Sequence, residues 1–102
     1  MILHLALADD WQHARGTGEY LISTLGRTLQ QEGYIHCCAT DTQLHGVAHR
    51  YYSDVREPLI VLEIDPTGLD IRLETPPGAT EAFPHLYGPL PITAVTATRP
   101  YR

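Results

Sequence analysis

Apolar residues in this chain come in short runs separated by polar turns, and one stretch stands out at helical spacing. Residues 2–7, Ile-Leu-His-Leu-Ala-Leu, are apolar apart from one imidazole and predict a first strand. Leu59-Ile60-Val61-Leu62-Glu63-Ile64, set off by Pro58, is the clearest buried strand. Shorter strands are predicted at Tyr34 to Cys38, Asp70 to Glu74, His85 to Tyr87 and Ile92 to Thr98. The convincing helix starts at Thr40 or Asp41 and carries Leu44, Val47, Ala48 and Tyr51 on one face. Asp9 or Asp10 caps a shorter helix with Trp11, Ala14 and Arg15, which Gly16-Thr17-Gly18 ends. Residues 20–25 read as extended or mixed, and Thr24 to Gln31 as a helical turn stopped by Gly33. Asp65-Pro66-Thr67-Gly68 is a turn, and residues 75–82, with two prolines, are a loop. A strand, helical pieces and then mostly strands predict an α+β class with a small mixed or antiparallel sheet.

The 102 residues suffice for one domain with a modest core, read as residues 1–102. No run approaches the roughly 18 apolar residues of a membrane span. The N-terminal Met-Ile-Leu-His-Leu has no basic region or cleavage site of a secretory signal. The two cysteines, Cys37 and Cys38, are adjacent and point to opposite faces of a strand. They make no disulfide framework, and a reduced cytoplasmic setting is expected. A net charge of −5 argues against a nucleic-acid surface. All seven cations are arginine, the residue suited to bidentate phosphate or carboxylate recognition, although a bias of codon usage explains the absence of lysine more simply.

Three histidines carry the candidate chemistry: His4 in the first strand, His36 after Gly33, and His85 after Pro84. A strand interior is costly for an imidazole unless it is hydrogen-bonded or faces a cavity. The bland reading of each is a satisfied core histidine; three in one short chain point to a pocket. His36 shares a face with Tyr34 and Cys38, and His85 shares one with Tyr87. His45 and His49 stand at i, i+4 but lack a third ligand, so a solvated pair is expected and no metal site. His13 has no informative context. Cys37 and Cys38 are read as packing residues, since nothing nearby would lower a thiol pKa. Arg15-Gly16-Thr17-Gly18 is read as a turn.

His4, Trp11, Gly18 with Tyr20, Ser23 with Leu25, the run Glu32 to Cys37, Gln43, Ala48 with Arg50 and Tyr51, Glu74, and the run Phe83 to Leu90 together resemble the bacterial domain-of-unknown-function 952 family. The likeness spans nearly the whole chain. Cys38 stands where the family usually has Ser, and His49 where Asn is typical. That family in turn resembles the ADP-ribosyltransferase fold, a small split sheet with short helices around an NAD cleft. The resemblance implies that His4 touches a ribose, that the strand from Gly33 to His36 and the helix from Gln43 to Tyr51 flank a nicotinamide, and that His85 stands where the family fold carries a catalytic Glu. A neutral imidazole stabilises a ribosyl cation poorly. A related branch, the NAD-dependent RNA 2′-phosphotransferases, works with His and Arg instead, and Arg15, Arg27 and Arg50 are the corresponding clamp candidates.

Taken together, His4, His36 and His85 are the candidate catalytic residues. Trp11, Tyr20, Ser23, Tyr34, Glu74 and Tyr87 are the candidate ligand-binding residues. The expected ligand is a nucleotide or ribosylated small molecule, with NAD as the candidate cofactor, in an enzyme acting at ribose or phosphate. A non-catalytic ligand-binding or regulatory module and a small metal-dependent enzyme are the alternatives. No nucleic-acid or membrane partner is expected, and the oligomeric state is left open.

Overall fold

The computed structural model describes residues 1–102 and has an α+β architecture in which every strand pair is antiparallel. Its centre is β6 (Leu59–Ile64), flanked by β1 (Ile2–Leu7) and β10 (Val95–Pro100). β1 runs in continuous register against β6, from Ile2 opposite Ile64 to Leu7 opposite Leu59. This sheet is covered on both faces, which is why β1 and β6 read as nearly unbroken apolar runs. Ile2, Ala6, Leu62 and Ile64 enter one core; Leu3, Leu5, Leu59 and Val61 enter the other. The strand period of two thus sends His4 to the first core, opposite in sense to Leu3 and Leu5, as its position between leucines predicts. β10 is an edge strand, and its Pro100 costs no central ladder bond there.

One face of the central sheet is covered by α3 (Asp41–Tyr51) through Leu44, Val47 and Ala48. Thr40 caps it, accepting a hydrogen bond from the Gln43 N–H at 3.1 Å. Tyr51, expected on the buried face, is exposed. The next ring, Tyr52 at the C-cap, is buried in its stead, because its non-helical backbone turns it back onto the core.

The other face is covered by α1 (Ala8–Thr17) and by a second sheet in the order β5 (Ile35–His36), β8 (Phe83–Leu86), β7 (Ile71–Glu74). Several boundaries differ from expectation for reasons of pairing. α1 follows β1 without a gap, so Leu7 occupies the cap position and no side chain caps it; Asp9 and Asp10 lie in its first turn instead. Gly16 and Thr17 are helical, and Gly18, at φ 96°, ends the helix. The expected helical turn from Thr24 begins as a hairpin of β3 (Ile22–Thr24) and β4 (Arg27–Thr28). The helical part, α2 (Leu29–Glu32), starts after Thr28 with a capping box to Gln31 and stops at Gly33 as expected. The Tyr34 to Cys38 strand keeps only Ile35 and His36, since Cys38 leaves to bridge Leu3 of the central sheet. Ile92–Ala94 is a 3₁₀ turn before β10 rather than part of it. β2 (Glu19–Tyr20) pairs with β9 (Leu90–Pro91). No helix is long and apolar enough to cross a membrane.

Leu62 lies at the middle of the central strand with 0% exposure. Leu62→Ala is expected to lower unfolding free energy by about 3 kcal/mol, the usual range for such a cavity. Urea denaturation checks this; a loss below about 1 kcal/mol would mean that β6 is not the packing centre.

Candidate functional site

The second sheet builds the site. β8 sets His85 directly opposite His36 on β5 and opposite Arg72 on β7. Opposed side chains on one face of an antiparallel pair lie close enough to touch. His36 Nδ1 and His85 Nε2 are 3.2 Å apart. Diagonally across β8, Glu74 Oε1 lies 2.8 Å from His85 Nδ1 and accepts the Tyr87 hydroxyl at 2.6 Å. Tyr34 stacks on the His85 ring with centroids 3.9 Å apart and planes 12° from parallel. Arg72, paired with Asp70, lies over the Tyr87 ring at 4.2 Å.

His36 is also fixed through its backbone. Its N–H donates to Ser23 Oγ at 3.1 Å, and its carbonyl accepts from His4 Nδ1 at 2.7 Å. His4 is 2% exposed and its Nε2 accepts the Tyr20 hydroxyl at 2.9 Å. His4 and Tyr20 therefore stand behind the site with their polar atoms used. They hold His36 in place and line neither of the cavities beside it. Burial pushes the Tyr20 hydroxyl well above its ordinary pKa, so it remains a donor.

The tautomers follow from counting donors. The Glu74 carboxylate only accepts, so His85 Nδ1 carries a proton. With one proton on each ring, His85 Nε2 accepts from His36 Nδ1–H, and His36 Nε2 presents a lone pair. That nitrogen has no hydrogen-bond partner in the chain and is not sealed from solvent. Burial, then the neighbouring His85 and His4 rings, lowers the His36 pKa to about 4. Burial outweighs the bond to the His36 carbonyl and lowers His4 to about 4 as well. The Tyr87 and His85 hydrogen bonds hold Glu74 below the usual carboxylate range.

His36 lies where two cavities meet. One, of about 320 Å³, runs between α3 and the 76–81 loop, with Arg50, Tyr51, Glu81 and Phe83 in its wall. The other, of about 240 Å³, is bounded by Ser23, Arg27, Glu32 and Tyr34. His36, Tyr51 and Pro76 belong to both, so the two form one groove with His36 at its waist. Tyr34, Ser23 and His36 thus line the groove as expected. His85, Glu74 and Tyr87 stand behind His36 and line neither lobe. Trp11 packs against the core on α1 and is not among the groove residues.

Of the arginines named as clamps, Arg50 and Arg27 reach the groove, Arg27 while paired with Glu32 at 3.2 Å, and Arg15 does not. His45 Nδ1 is 2.8 Å from the Tyr101 hydroxyl, and no three His, Cys, Asp or Glu side chains are arranged to hold a metal ion. Cys37 and Cys38 are buried free thiols, and burial raises both, Cys38 to about 12, so neither is a ready nucleophile. Sequence reasoning set the Gln43–Tyr51 helix beside a ligand only through the family resemblance, and it missed the 76–80 loop as a groove wall. The one local signal was a glycine in the middle of an otherwise good helix.

Residues 5–98 match the family described as "Protein of unknown function (DUF952)". The chain belongs to this family. The crystal structure of protein CC0527 from Caulobacter crescentus is similar at a TM-score of 0.80 and 27% identity, over 97% of this chain and 83% of that one. The solution NMR structure of CC0527 gives a TM-score of 0.75 at 26% identity, over 96% and 81% of the two chains. No curated protein matches. The similarity to these structures supports the α+β architecture; neither they nor the family description shows a likeness to ADP-ribosyltransferases.

The two depressed histidines set a sign for the pH dependence of this DUF952 chain. Below pH 6.5 the unfolded chain binds protons at His4 and His36 that the folded chain refuses down to about pH 4. Stability is full above that window and falls as the pH drops through it, by on the order of 3 kcal/mol per ring. Urea unfolding at pH 7 and pH 4.5 is expected to show the loss, and imidazole NMR shifts to show His4 and His36 neutral at pH 5. Rings already protonated at pH 6 would contradict the assignment.

Proposed function

We propose that this chain binds a nucleotide-like or ribosylated small molecule in the two-lobed groove and moves a proton at His36 during group transfer at ribose or phosphate. The observation that carries the reading is the line Glu74–His85–His36, ending in an unpartnered nitrogen at the waist of the groove. A proton taken up at His36 Nε2 releases the Nδ1 proton to His85. The positive charge then rests on a buried ring beside the Glu74 carboxylate, whose charge favours it. Arg27 and Arg50 in the walls suit phosphate, and Tyr34 and Tyr51 offer ring faces. The balance of charge, −5 overall, favours a small ligand over a nucleic-acid polymer.

The ADP-ribosyltransferase resemblance makes NAD the first cofactor to try. Within that resemblance the residues favour acid–base work over direct carboxylate stabilisation of a ribosyl cation. Glu74 spends one oxygen on both Tyr87 and His85 and lies outside both lobes. His85, 2% exposed with both nitrogens engaged, relays the proton and is not itself the group that meets the ligand. Residues 1–102 are read as one domain, and the free thiols suit a cytoplasmic setting.

Ligand-observed NMR with NAD, ADP-ribose and nicotinamide, followed for hours, tests the reading. Wild type is expected to bind and to release nicotinamide slowly. His36→Asn is expected to reduce that rate about 100-fold or more, the usual worth of a proton-transfer group, and Glu74→Gln about 10-fold. Binding with no turnover would make the chain a ligand-binding module. No binding of any of the three would remove the nucleotide class.

A further inference from the structure

The larger lobe has a wall whose central residue packing does not explain. Thr42, Gln43, Gly46, Val47 and Arg50 form it, which is one side of α3. Gly46 lies at the middle of that side, in a helix interior where glycine is a poor choice. Its backbone is not in the left-handed region, and a Cβ placed there meets nothing within 4 Å. Neither backbone conformation nor protein packing calls for glycine at this position. What glycine leaves is a bare strip of helix backbone in the wall of a cavity, the arrangement that lets a ligand approach closely.

Arg50 is one turn further along the same side. Arg27, Arg72 and Arg99 are held by carboxylates, and Arg102 donates to the carbonyls of Tyr52 and Val55. Arg50 has no hydrogen-bonding or ionic partner; its guanidinium lies 5.5 Å from the centre of the Tyr51 ring. Glu81, in the loop across the cavity, forms no ion pair with it. Arg15 and Arg56 are also unpaired, but neither lines this cavity. Arg50 alone combines a free guanidinium with a place in the groove.

We infer that the Gly46–Arg50 side of α3 is the subsite for the phosphate-bearing end of the ligand. Arg50 takes the phosphate through its forked donors, and the sugar that carries it lies over Gly46. The inference rests on the proposed small-molecule function of the groove and assigns one lobe of it.

The test is a ¹H–¹⁵N NMR titration with ribose 5-phosphate and, in parallel, unphosphorylated ribose, on wild type, Gly46→Ala, Gly46→Leu and Arg50→Gln. Ribose 5-phosphate is expected to move the amides of residues 43–50, and ribose is not. Arg50→Gln should weaken the phosphate ester at least tenfold, and Gly46→Leu should abolish its binding. Gly46→Ala should raise the melting temperature by roughly 4 °C, which separates a ligand constraint from a folding one. Unchanged binding in Gly46→Leu and Arg50→Gln, or equal binding of ribose, would overturn the subsite. Normal NAD turnover in Gly46→Leu with turnover lost in His36→Asn would overturn the subsite and leave the proton-transfer reading standing. Binding lost in Gly46→Leu with turnover unaffected in His36→Asn would do the reverse.

Discussion

A fully buried imidazole has two nitrogens to satisfy, and the way His4 satisfies them fixes the geometry of everything around it. Its Nδ1–H reaches the carbonyl of His36, 32 positions along the chain, and its Nε2 receives the Tyr20 hydroxyl. These bonds tie the central sheet to β5 and β2 through the apolar core, where an unmade polar bond is expensive. The bridge between Leu3 and Cys38 adds two backbone bonds at the same junction, at 2.8 and 2.7 Å. With β5 held there, a two-residue strand suffices to present His36, because both of its backbone polar groups are already claimed.

The electrostatics of the site follow from that placement. His36 is partly buried between two other imidazoles, which favours the neutral ring. The compensating carboxylate is not beside His36 but one ring further back, against His85. The imidazole at the waist of the groove and the carboxylate are thus separate groups, with the His85 ring between them. Tyr34 covers His85 on one side, and Tyr87 orients the shared oxygen of Glu74. The result is a rigid line of polar groups along one face of β7, β8 and β5.

Much of the fold was legible in local pattern. The β1 and β6 runs predicted buried strands, Thr40 predicted the start of α3, and Gly33 predicted the end of the helical turn. Less of the site was legible. Histidines inside apolar runs signalled buried rings needing partners, and the alternation that puts His85 and Tyr87 on one face was readable. Trp11 was included as a ligand contact, and its ring instead packs the core from α1. Tyr51 matched the helical period of the core face, yet it lines the groove, since the period gives a direction around the helix and not what lies there.

By itself the sequence determined the α+β class, the positions of the long strands and the capped helix, and that three imidazoles would be buried or nearly so. These depend on residue spacing over a turn or a strand, where sterics and burial act on neighbours. Only the tertiary structure decided which imidazole meets which. His36 and His85 lie 49 positions apart, and Glu74 and His85 are joined by a diagonal across two strands. Register between strands is set by where the connecting loops and the central sheet let them lie, and a one-residue shift would send His36 to the opposite face. The same register chose His36, among the three histidines, to open on the groove, and left His4 and His85 to hold it there.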